Sequence, residues 1–125
     1  MKKVFLFLFF MACFILSFQL ASADCVNITI PKTVYFPGET FQAEISGNFS
    51  QDLAYSNIYF FKDGVERPLF FNLTTISKGK YFVYAELPSS QADIGSWSFE
   101  IQNALCTENK ILKSITSQAN FSIIK

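Results

Sequence analysis

Gly95-Ser96-Trp97-Ser98-Phe99-Glu100-Ile101-Gln102 alternates without a fault: Trp97, Phe99 and Ile101 fall on one side and Ser96, Ser98, Glu100 and Gln102 on the other. A repeat of two residues is the signature of a half-buried β-strand, because successive side chains on a pleated backbone point to opposite faces. An amphipathic helix would need apolar residues both three and four apart, and in this stretch no apolar pair is three apart. The Trp97 strand therefore predicts a sheet with one face buried.

The same period recurs on both sides of it. Val26, Ile28 and Ile30 alternate with Asn27 and Thr29 until Pro31 closes the run. Phe41, Ala43 and Ile45 oppose Thr40, Gln42, Glu44 and Ser46, entered through the turn Pro37-Gly38. Tyr81, Val83, Ala85 and Leu87 alternate with Phe82, Tyr84 and Glu86 after the turn Lys78-Gly79. Ala119, Phe121 and Ile123 suggest a closing strand, and the stretch from Asn103 to Ser117 is ambiguous. Between Ser56–Lys62 and Val65–Leu73 stands Asp63-Gly64, a two-residue link suited to a tight hairpin. Pro68 lies inside the second arm and cannot donate to a ladder, so that arm is expected at a sheet edge or at a bulge. Seven or eight short strands, with turn signals between them and no convincing helix, predict an all-β, antiparallel sandwich of two sheets.

The amino terminus is of another kind. Lys2 and Lys3 precede an uncharged apolar run from Val4 to Leu16, and Ala21-Ser22-Ala23 follows before Asp24. A cationic flank, an apolar stretch and small residues make a secretory signal peptide over 1–23, a signal helix ahead of a domain spanning 24–125. The expected location is therefore secreted or at the extracellular cell surface. An uncleaved anchor is the competing reading, since Val4 to Leu20 is marginally long enough to span a bilayer. Lipidation fits poorly, because Asp24 separates the small residues from Cys25.

Cleavage would leave 102 of the 125 residues, the size of one domain, with eight basic against ten acidic side chains. Nothing in that balance attracts nucleic acid. Cys13 would leave with the leader. Cys25 and Cys106 would remain in an oxidising compartment, where an isolated pair is expected to form a disulfide. Zinc is the alternative, but two thiolates and no histidine supply half a closed shell.

Tyr35-Phe36-Pro37-Gly38-Glu39-Thr40-Phe41 resembles the approach to the second strand in Ig-like modules of extracellular proteins, including macroglobulin-type domains. Lys62-Asp63-Gly64, Gly79-Lys80-Tyr81 and Gly95-Ser96-Trp97-Ser98-Phe99 follow in the order such modules show. The resemblance implies an Ig-like β-sandwich and a cell-surface setting, with a role as spacer, adhesion unit or docking surface. It transfers no functional residue.

Four sequons occur, at Asn27, Asn48, Asn72 and Asn120, where composition would give about one by chance. They are candidate glycosylation sites. Histidine is absent, which removes the commonest general base. Glu39, Glu44, Asp52, Asp63, Glu86, Asp93 and Glu100 could in principle pair for glycoside hydrolysis, but each is expected on a solvent face or turn as ordinary surface charge. No acidic cluster suits calcium. No catalytic residue, cofactor or metal is therefore expected. In the hairpin, Tyr59, Phe61 and Phe70 are the candidate contacts for a protein partner or for stacked sugar rings, because both faces of those strands are apolar. The expected function is a non-catalytic structural or interaction module whose partner is a protein or glycan at the cell surface; the alternative is a carbohydrate-binding module using those three rings.

Overall fold

The computed structural model describes residues 25–125, so the signal helix and the leader expected over 1–23 lie outside the described residues. Among the described residues nine strands run in chain order: β1 Val26–Thr29, β2 Val34–Tyr35, β3 Thr40–Gly47, β4 Ile58–Lys62, β5 Val65–Glu66, β6 Phe71–Ser77, β7 Lys80–Glu86, β8 Gly95–Glu108 and β9 Ile111–Ile123. They make two sheets, one ordered β1-β3-β7-β6 and the other β2-β9-β8-β4-β5. Those orders are the arrangement of an Ig-type sandwich. The sheet-forming faces are the ones alternation predicts: Phe41, Ala43, Ile45, Tyr81, Val83, Ala85, Trp97, Phe99 and Ile101 are all buried.

Three features differ from expectation. The sandwich is not wholly antiparallel, because β2 runs parallel to β9, with Val34 opposite Ser122 and Tyr35 opposite Ile123. The cause is Pro31: it ends β1 in one sheet, and the chain resumes at Val34 in the other. Secondly, there are nine strands rather than seven or eight, since β2 and β5 have two residues each and are too short to show any period. Thirdly, the hairpin arm expected over Val65–Leu73 pairs with β4 only through Phe61↔Glu66 and Lys62↔Val65. Next to Pro68 the chain leaves that sheet, and at Phe71 it begins β6 in the opposite one.

The ambiguous stretch from Asn103 onward is a long hairpin of β8 and β9. Its register shifts between Ile101 and Ala104, where Asn103 takes a φ of 57°. One extra residue in a strand is a β-bulge, and it reverses which parity faces inward. Trp97, Phe99 and Ile101 point in before it, and Ala104 and Cys106 after it. A strict period of two cannot survive that inversion.

Phe41 of β3 occupies the centre of the core. Its ring lies 4.6 Å from Phe121, 5.3 Å from Phe99, 5.6 Å from Phe60 and 5.8 Å from Tyr35, measured between centroids. In antibody domains the strands equivalent to β3 and β8 are tied by the inter-sheet disulfide. Here they meet through Phe41 and Phe99. Trp97 stacks on Phe121 at 6.1 Å, and its indole N–H donates to the Asp93 carbonyl at 2.8 Å.

Candidate functional site

Cys25 and Cys106 form a disulfide, with Cα atoms 6.4 Å apart across 81 residues of chain. Cys25 immediately precedes β1, the edge strand of the four-stranded sheet, and Cys106 lies on β8, so the bond joins the two sheets. Backbone hydrogen bonds close the same seam. The Asn48 N–H donates to the Cys25 carbonyl at 3.2 Å, and the Thr107 N–H donates to the Asn48 carbonyl at 3.0 Å. Phe49 bridges to Cys106, and its ring meets Tyr81 edge-on. Gly47 is required by this closeness: a Cβ there would lie 2.6 Å from the Cys25 carbonyl oxygen.

All four sequon asparagines are exposed, but their surroundings differ. Asn27 faces Ser46, which in turn faces Lys80. The Asn48 amide already donates to the Thr107 carbonyl at 2.8 Å. Asn120 faces Ser98, and Ser98 faces Phe61 on the next strand. Asn72 stands directly opposite Tyr84.

The structure does not assemble Tyr59, Phe61 and Phe70 into one platform. Tyr59 and Phe61 are half-buried on the outer face of the five-stranded sheet, stacked with centroids 6.4 Å apart. Phe70 is 98% exposed on the crossing segment, where it lines a hollow with Asn72 and Tyr84 against the four-stranded sheet. The cause is again the early end of β5, which carries Phe70 to the opposite layer. A second outer pair, Phe82 and Tyr84 with centroids 6.0 Å apart, was overlooked because those rings occupy the nominally polar positions of β7. Aromatic residues at polar positions were the available signal.

Among the carboxylates considered for chemistry, Asp93 breaks the expectation of surface placement. It is 2% exposed, held in a 3₁₀ turn over Gln91–Asp93. Arg67 Nη2 lies 2.7 Å from its Oδ1, near enough to balance the charge though misaligned for a hydrogen bond. Arg67 comes just before Pro68, so this ion pair anchors the segment that crosses between the sheets. The other six acids are half-buried or exposed. No group of three or more Asp, Glu, Cys or His stands together as a metal site among the described residues.

Two tyrosines hold perturbed hydroxyls. Burial raises the Tyr81 pKa above 10.0; its O–H donates to Asp52 Oδ1 at 3.1 Å and accepts from the Leu53 N–H at 3.2 Å. Burial also raises that of Tyr35, against the opposing pull of the Gln42 backbone and the Lys32 charge. These are packing contacts between the strands and the loops beside them.

No family model matches the chain, and no curated protein is similar to it. Among solved structures it is similar to titin M4, in a trigonal crystal form, at 16% identity, and to I81 from titin at 13%. Each alignment covers 82% of this chain and 100% of the other, with a TM-score of 0.39. The sandwich assignment rests on strand order and register.

Proposed function

We propose that the chain is an exported, non-catalytic structural or interaction module, acting as an adhesion, spacer or docking domain toward a protein or glycan at the cell surface. The observation that carries this reading is the Cys25–Cys106 bond between the two sheets. Such bonds persist in oxidising compartments and are rare in the reducing cytosol. The signal-like leader and the four sequons support the same setting.

Expression of the full chain in a secreting host tests it. The expected product in the medium begins at Asp24 and has no free thiol by mass spectrometry after alkylation. Chain retained inside the cell, with Cys25 and Cys106 both alkylated, overturns the reading.

A second reading, sugar binding, is favoured by the stacked pair Tyr59 and Phe61 on an outer face. Binding to a glycan array that disappears in Tyr59→Ala would support it, and an array silent for the unmodified chain would end it.

A further inference from the structure

Phe71 and Leu73 of β6 pack against the core, so the alternation of the strand turns Asn72 and Thr74 outward. Both ends of the sequon then find an aromatic ring on the next strand. Asn72 is opposite Tyr84 and Thr74 is opposite Phe82. Directly opposed residues of an antiparallel pair have Cβ atoms about 4.5–5.5 Å apart, so a group attached to one lies against the other. Tyr84 is 41% exposed and Phe70 is 98% exposed, and with Thr40, Phe71, Asn72 and Glu86 they line a hollow of about 430 Å³. None of the other three sequons has a ring as its immediate cross-strand neighbour: Asn27 has Ser46, Asn120 has Ser98, and the amide of Asn48 is held by Thr107.

We propose that Asn72 is N-glycosylated and that the first sugar of its glycan lies in this hollow, stacked on Tyr84 and flanked by Phe70. This rests on the export reading above. In the transfer, Asn72 Nδ2 forms a bond to the anomeric carbon of a lipid-pyrophosphate-linked oligosaccharide. The anomeric C–O bond breaks, the lipid pyrophosphate leaves with the electron pair, and one amide proton is lost to a base of the transferase. The sugar's C–H face then covers rings that would otherwise meet water, while its hydroxyls face solvent. A glycan there has a second effect, because β6 is the edge of the four-stranded sheet. Bulk on that edge blocks pairing with another chain.

The test uses the full chain secreted from N-glycosylating cells, with site occupancy mapped by mass spectrometry and melting followed for each variant. The expected result is occupancy at Asn72, and a loss of about 4 °C in Asn72→Gln beyond that in Asn27→Gln, a size set by how melting scales for a domain this small. Trimming the glycan to its first sugar should keep the stabilisation. Tyr84→Ser should abolish the difference between glycosylated and deglycosylated protein. Thr74→Val, which removes the sequon and keeps Asn72, guards against an effect of the Gln side chain itself and should match Asn72→Gln. Secreted protein with Asn72 unmodified, or equal melting losses in Asn72→Gln and Asn27→Gln, overturns the proposal and leaves export standing. Failure of the chain to leave the cell overturns both.

Discussion

Tyr35 and Glu39 illustrate how single groups set the pH limits of this fold. The Tyr35 hydroxyl is buried with no aligned hydrogen-bond partner, although its ring packs on Phe41 and Phe121 and lies under the Lys32 ammonium at 4.6 Å. A buried polar group without a partner costs about 1–3 kcal/mol. Tyr35→Phe should therefore leave stability unchanged or raise it by up to about 1 kcal/mol, read from urea midpoints at constant slope. A clear loss would mean that the hydroxyl has a partner. Because burial raises the pKa of Tyr35 and Tyr81, their contribution is complete below the unfolded value near 10 and is lost as pH climbs through the raised ones. The Glu39 carboxylate behaves in the opposite sense. It accepts from the Lys32 ammonium and from the Phe36 N–H, the latter at 2.5 Å, and the Lys32 contact is the main cause holding its pKa below 4.5. A depressed carboxyl stabilises above its unfolded pKa, and that stabilisation disappears as pH falls through the folded value. Glu39→Gln should lower the melting temperature at neutral pH and flatten the acid limb of the profile below about pH 5, the two proteins converging as the carboxyl protonates. An unaltered acid limb would show that the contact carries no free energy.

At the scale of elements, two hairpins use the same turn chemistry with different residues. Asp63 and Gly64 close β4 to β5 with φ values of 49° and 82°, and Asn109 and Lys110 close β8 to β9 with 51° and 64°. Positive φ at both central positions is what a type I′ hairpin requires. Asp-Gly announced itself in the sequence, whereas Asn-Lys did not, because lysine pays a steric penalty in that region and is seldom found there. Lys110→Gly should accordingly stabilise the chain by about 0.5–1 kcal/mol, the relieved strain being partly offset by a freer unfolded chain. Equilibrium unfolding measures it, and destabilisation would refute this account of the turn. The bulge at Asn103 explains why the strand leading to that turn was hard to read: before it apolar and polar residues alternate, whereas after it the inward parity is reversed and Ala104, Leu105 and Cys106 are apolar in succession. Likewise the early end of β5 follows from Pro68 and from the Arg67–Asp93 pair, and only the proline could be weighed in advance.

For the molecule as a whole, one domain of this size is stable by only a small margin, and its cross-link is a large part of that margin. Closing a loop across 81 residues lowers the entropy of the unfolded chain, worth about 4.5 kcal/mol on the chain-entropy account. Cys25→Ala should lower the melting temperature by more than about 10 °C, and reduction of the unmodified chain should do the same. A shift of a degree or two would mean that the hydrogen-bonded seam through Asn48 and Thr107 holds the layers together without the sulfur bond. The period-two faces of β3, β7 and β8 were legible because burial of one side of a pleated strand is a local property, visible residue by residue as the chain is read. The pairing of Cys25 with Cys106 was legible on the expectation that Cys13 belongs to a leader, which leaves these two as an isolated pair. Which sheet each strand joins was not legible, nor that Phe70 would part from Tyr59 and Phe61 to stand beside Asn72 and Tyr84. Those outcomes depend on where a proline frees the chain to cross layers and on contacts between segments far apart in sequence, and such terms exist only once the two sheets are packed.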